Sequence, residues 1–205
     1  VAWYHYFALS NPIRMHIPQV VAKKLYPLLM RVHKVFRSNS AVKVAPQKTL
    51  PPESFHILEA TANNGTNVRL STLAGKKILV VNTASYCGYT AQYAELQELY
   101  HRYRNSLVIL AFPSNDFKQQ EPDTDETIAQ FCKTEYRVAF PVMLKVQVRG
   151  GLGQHPVYYW LSHEHKNGWC NQKPVWNFCK YLIDEKGRLT HFFDQTVSPL
   201  DSIVT

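Results

Sequence analysis

Apolar positions along this chain change period several times, and each change marks an element. Across Gln19–Phe36 the residues Val21, Leu25, Leu28, Val32 and Val35 step by 4, 3, 4 and 3, which lays one stripe along a helix. Pro27 would kink that helix or mark its first turn. Phe55–Ala60 and Val68–Leu70 flank Asn63-Asn64-Gly65 and predict a β-hairpin. Ile78–Asn82 is an unbroken leucine and β-branched run, as a strand buried on both faces requires. Helical spacing returns over Gln92–Arg104 at Tyr93, Leu96, Leu99, Tyr100 and Tyr103, and Leu107–Phe112 is a second buried strand. Together they predict a β-α-β unit, with parallel strands and a right-handed crossover.

Further along, Asp123 followed by Glu126 is a capping-box signal for a helix running through Phe131. Val142–Val148 reads as a strand and Pro156–Ser162 as a short helix. Phe178–Asp184 and Leu189–Phe193 around Glu185-Lys186-Gly187 read as a hairpin. This order predicts an α/β fold, a central mixed sheet flanked by helices. Residues 1–18, with Pro12 and Pro18, read as irregular, and Arg37–Pro52 with three prolines as a linker. The expected division is a basic helical extension, 1–54, and a body, 55–205.

Charge sharpens that division. Residues 1–54 hold eight Lys or Arg against one acid, Glu53, and so carry +7 of the chain's formal +8. The body, with fifteen basic and fourteen acidic side chains, is almost neutral, which argues against nucleic acid as a partner. Two readings of residues 19–36 follow. Either an apolar stripe with Lys23, Lys24, Arg31 and Lys34 touches a membrane surface or a partner, or the helix packs on the body with its basic face solvated. No apolar run approaches the roughly 18 residues that span a bilayer.

The four cysteines, Cys87, Cys132, Cys170 and Cys179, form no C-x-x-C pair and no zinc-like cluster, so neither a metal nor another cofactor is expected. Cys87 falls between a buried strand and a helix, where free N–H groups at the helix start would favour thiolate, and Gly88 leaves room beside the sulfur. From the residues alone, a reactive thiol and an inert buried cysteine both fit.

The stretch Asn82-Thr83-Ala84-Ser85-Tyr86-Cys87-Gly88-Tyr89-Thr90 resembles the active-site motif of the glutathione peroxidase family. Ala111–Pro122, with Asn115-Asp116-Phe117, resembles its second motif, and Val175-Trp176-Asn177-Phe178 its third. The likeness runs from about Phe55 to Pro199. It implies a thioredoxin-like fold and a thiol peroxidase, with Cys87 as the peroxide-attacking residue and Gln120, Trp176 and Asn177 around it. It also implies Cys132 as the resolving cysteine, which would form a disulfide with Cys87 after part of its helix unwinds. Ser114 and Asp116 depart from the common family pattern, outside the implied site. The 14 residues between Leu161 and Trp176 resemble the form without the long loop of tetrameric relatives. That implies a monomer recycled by thioredoxin rather than glutathione.

The chemistry is coherent. Thiolate attack on a peroxide leaves a sulfenic acid, and Gln120, Asn177 and the Trp176 indole can donate hydrogen bonds without carrying charge. A peroxide-sensing relay that oxidises a partner protein is the alternative. A thioredoxin-like disulfide oxidoreductase would need a cysteine where Thr90 stands. Cys170 and Cys179 are expected as packing or surface residues. A cytoplasmic protein is expected, with a membrane-peripheral or exported form kept open.

Overall fold

The computed structural model describes residues 19–35, 41–47 and 49–204. The expected irregular stretch 1–18 lies outside them. Helix α1 spans Gln19–Val35 with Pro27 inside it. Strands follow at β1 (Val42–Val44), β2 (Glu59–Thr61), β3 (Asn67–Arg69) and β4 (Lys77–Thr83). Then come α2 (Gln92–Tyr103), β5 (Leu107–Pro113), α3 (Asp125–Tyr136), α4 (Pro156–Leu161), α5 (Glu164–Asn167), β6 (Lys180–Ile183) and β7 (Leu189–Phe193).

The central sheet has the order β1-β7-β6-β4-β5, with β4 and β5 parallel and the other pairs antiparallel. β2 and β3 form the expected separate hairpin. β4 shows why an unbroken apolar run belongs at the centre. Leu79 and Val81 enter one core with Leu96, Leu99 and Ile128, while Ile78 and Val80 enter the other with Phe112, Tyr158 and Tyr181. Alternate residues serve opposite faces, so Ile78–Val81 is apolar throughout.

Three details differ from the sequence reading, and a fourth concerns the face that α1 turns to the body, which that reading left open. β1 comes from within the stretch that reads as linker, and pairs with β7 as the sheet edge. Val142–Val148 forms no strand. Its residues bridge singly to other segments, Val142 to Ala111 and Met143 to Ala62, and Pro141 lacks the N–H that a ladder needs. α3 is capped by Thr124, whose side chain accepts from Thr127 N–H, while Asp123 accepts from the Tyr86 hydroxyl at 2.7 Å. Finally, Val21, Leu25, Leu28, Val32 and Val35 of α1 all face solvent, and the helix touches the body through Tyr26 instead.

Candidate active site

Two chain ends of the sheet meet here. β4 ends at Thr83, and the chain turns through Ala84–Ala91 before α2 begins at Gln92. Thr90 closes this turn. Its Oγ1 accepts from the Cys87 N–H at 3.0 Å and lies 2.9 Å from the Ala84 carbonyl. The turn is also tied to the second motif, because Tyr86 N–H donates to the Gln120 carbonyl at 3.1 Å. Ser85 donates its hydroxyl to Glu121 at 3.1 Å. A Cβ added at Gly88 would meet nothing within 4 Å, so space beside Cys87 is open.

The third motif is held by Asn82, the last buried polar residue but one of β4. Its side chain donates to the Trp176 carbonyl at 2.9 Å, and its own carbonyl accepts from Phe178 N–H at 2.6 Å. Asn177 is thereby pinned between two bonded neighbours, and Phe178 takes a positive φ of 66°. Lys118 and Gln119 are likewise at φ 50° and 52°, immediately before Gln120. Non-glycine residues in this region are strained, and such strain gathers where a side chain must be aimed.

Cys87 is 3% exposed; the Tyr89 N–H donates to its sulfur, and the Asn177 and Trp176 side chains and the Gly88 N–H lie close enough to favour its thiolate. The Tyr89 contact is 3.5 Å. Gln120 does not reach the sulfur directly in this arrangement. Its Oε1 accepts from Asn177 Nδ2 at 2.9 Å, so it orients the amide that does. Trp176 is half-buried, 5.7 Å from the Phe117 ring, with Lys118 Nζ 5.7 Å from its ring centroid.

Burial pushes the Cys87 thiol above its ordinary range, and the four donors pull against it without prevailing. The expectation that a helix start lowers it is therefore not met: α2 begins five residues later, beyond the reach of its first-turn field.

Cys132 sits on α3, 2% exposed, and shares a core cluster with Cys87. Burial first, opposed by the nearby Tyr93 hydroxyl and reinforced by the Glu121 charge, pushes its thiol up to about 12. Its carbonyl closes the end of α3, accepting from Val138 N–H at 3.1 Å and from Arg137, which stands in the left-handed region at φ 52°. Cys170 and Cys179 are buried packing residues, the first clamped through its backbone by Asn167. All four cysteines are free.

The motif approach missed three contributors: Asn82, Thr90 and Glu121. Asn82 and Thr90 lie inside the first motif, but nothing in their types announces a clamp. Glu121 follows Gln120, and its carboxyl is fully buried with Oε1 lacking a hydrogen-bond partner. Burial holds that acid up at about 8. Among the described residues no group of His, Cys, Asp or Glu could hold a metal ion, and no helix is long and apolar enough to cross a membrane.

Known proteins share this arrangement. The glutathione peroxidase family profile matches residues 55–162. Over 148 residues the chain is 42% identical to glutathione peroxidase-like peroxiredoxin 2 of Saccharomyces cerevisiae, covering 71% of this chain and 90% of that protein. It is equally 42% identical to the glutathione peroxidase homolog BsaA of Staphylococcus epidermidis, over 72% of this chain and 92% of the relative. The crystal structure of Trgpx in apo form superposes with a TM-score of 0.56 at 35% identity, covering 72% of this chain and 89% of that one. A secreted thiol-disulfide isomerase from Corynebacterium glutamicum reaches a TM-score of 0.57 at 12% identity, over 82% of this chain and 90% of its own. At that identity only the fold is shared, and the fold is thioredoxin-like.

Proposed function

Since this chain belongs to the glutathione peroxidase family, and is a thiol peroxidase, we propose that its cycle runs through Cys87 and Cys132. The Cys87 thiolate attacks one peroxide oxygen and the O–O bond breaks. Sulfur is oxidised to the sulfenic acid, and the departing alkoxide or hydroxide takes a proton through water. Trp176 and Asn177 donate to the sulfur as it ionises and to oxygen as charge develops there. Asn177 Oδ1, buried and without a partner among the described residues, accepts the peroxide O–H. Gln120 keeps the Asn177 amide aimed. The observation that carries this reading is the convergence of Trp176 and Asn177 on a sulfur 89 positions or more earlier in the chain.

The Cys132 thiol then attacks the Cys87 sulfenic sulfur, forming the disulfide and releasing water. A thiol held as high as Cys132 is a poor nucleophile while buried, so the end of α3 opens first. Arg137 favours that opening, because a non-glycine residue in the left-handed region leaves this terminus roughly 1 kcal/mol less stable than a glycine would. A thioredoxin-type dithiol reduces the disulfide and leaves oxidised itself. This chemistry suits the reducing cytoplasm. The short segment between Leu161 and Trp176 suits a monomer, and residues 19–35 suit contact with a membrane surface.

The deciding experiment follows peroxide consumption with thioredoxin and thioredoxin reductase beside glutathione and glutathione reductase. Thioredoxin-driven turnover that vanishes in Cys132→Ser is expected. Full turnover of Cys132→Ser with thioredoxin would overturn the resolving role.

A further inference from the structure

The outward stripe of α1 has a physical meaning. A helix normally turns its apolar stripe to the body. Here Val21, Leu25, Leu28, Val32 and Val35 are between 43% and 77% exposed, while Tyr26 is 6% exposed. At 3.6 residues per turn the buried face is about 140° around the helix from the stripe. The body selects the polar-aromatic face because it offers partners there. Tyr26 is buried near Glu95 and Gln92 of α2 without a hydrogen bond to either, and His33 Nε2 lies 3.3 Å from the Tyr89 hydroxyl. The His33 and Tyr89 rings meet edge to face at 5.9 Å. Anchoring and display are thus assigned to opposite faces of one helix.

We propose that the outward face of α1 docks on the surface of an anionic lipid bilayer. The stripe is purely aliphatic and runs about 21 Å along a convex cylinder, a shape that lies in a headgroup layer and offers no groove for a peptide. Lys24 and Arg31 are exposed and flank it on one side. No Asp or Glu occurs anywhere in residues 1–52. That balance complements anionic headgroups, and it opposes a second copy, whose matching face would carry the same positive charge. The anchor at Tyr89, whose N–H donates to Cys87, places the docked helix beside the active-site turn. This inference deepens the membrane-contact reading above and is tested by binding rather than turnover, so its failure leaves the peroxidase reading standing.

The test sediments the full chain with vesicles of phosphatidylcholine alone and of phosphatidylcholine with phosphatidylserine. Binding to the anionic vesicles at least about tenfold above the neutral ones is expected, falling as salt rises. Lys24→Glu with Arg31→Glu should lose that preference, and Leu25→Glu with Leu28→Glu should lose binding to both, with an unchanged thermal midpoint. If the leucine variant fails to fold, the charge variant and the salt dependence decide. Absence of vesicle binding, or binding that survives both variants, overturns the proposal. So does a concentration-dependent dimer in sedimentation that the leucine variant abolishes, since a second copy would then own the face.

Discussion

Cys87 and Cys132 occupy the same core cluster and are almost equally hidden, at 3% and 2% exposed, yet their neighbours differ. Four donors from two separate segments converge on Cys87. Cys132 has Tyr93 as its one lowering influence, and the nearby Glu121 charge works against it. Burial alone therefore says little about a thiol's use. What separates them is whether the surroundings are prepared for a negative sulfur where it stands, or only after the chain has moved. Cys87 can react in place, through the open side at Gly88. In the proposed cycle Cys132 must travel, and it sits on a helix that ends on a residue in the left-handed region.

The largest break in this contrast is Cys87→Ser. Peroxide turnover should fall by roughly three orders of magnitude or more, read by coupled reductase assay, because no other cysteine has the Trp176 and Asn177 side chains beside it. Retained turnover would place the chemistry elsewhere. Next in size, Trp176→Phe and Asn177→Ala each remove one donor. The rate of Cys87 oxidation should drop about tenfold to a hundredfold in stopped-flow fluorescence or mass spectrometry. Because burial already holds this thiol above its ordinary range, the rate should keep rising with pH beyond that range. Each variant should move the profile further alkaline. An unchanged profile would mean that the contacts are packing only.

Glu121 offers a subtler probe. In the fold its acid keeps its proton up to about 8, against an unfolded value of 4.5. Over that window the native state holds the extra proton, so this group's contribution is fully present below 4.5 and is lost as pH rises through about 8. Stability should fall by at most about 1.4 kcal/mol per pH unit. Glu121→Gln should flatten that slope in denaturant titrations across the window and ease the Cys132 thiol downward. A slope that survives the substitution would have another source. The smallest expected effect belongs to Arg137→Gly. It should stabilise the end of α3 by about 1 kcal/mol and slow disulfide formation about fivefold, while leaving the first oxidation of Cys87 alone. Faster disulfide formation would refute the opening step.

Much of this was legible beforehand. The central strands declared themselves because Ile78–Val81 of β4 and Leu107–Phe112 of β5 are apolar without a break, as strands packed on both faces require. The three motifs named Cys87, Gln120, Trp176 and Asn177, and the fold brings all four together, although Gln120 acts on Asn177 rather than on sulfur. Val142–Val148 misled because β-branched content signals an extended backbone but not a ladder partner. Val42–Val44 was obscured by Pro46, Pro51 and Pro52, which describe the connection that follows and not the three residues that pair.

The sequence by itself determined the alternation of elements, the three motifs that single out Cys87 and the amphipathic, acid-free character of α1. All of these are local, set by residue type and spacing. Only the tertiary structure decided which side of α1 meets the body, that burial outweighs the donors at Cys87, and that Cys132 is closed inside a helix end. Those outcomes depend on groups dozens of positions away, Glu95 and Tyr89 for α1, Trp176 and Asn177 for Cys87. Hydrogen bonding and desolvation act through space, and spacing along a chain does not encode which distant side chain will arrive.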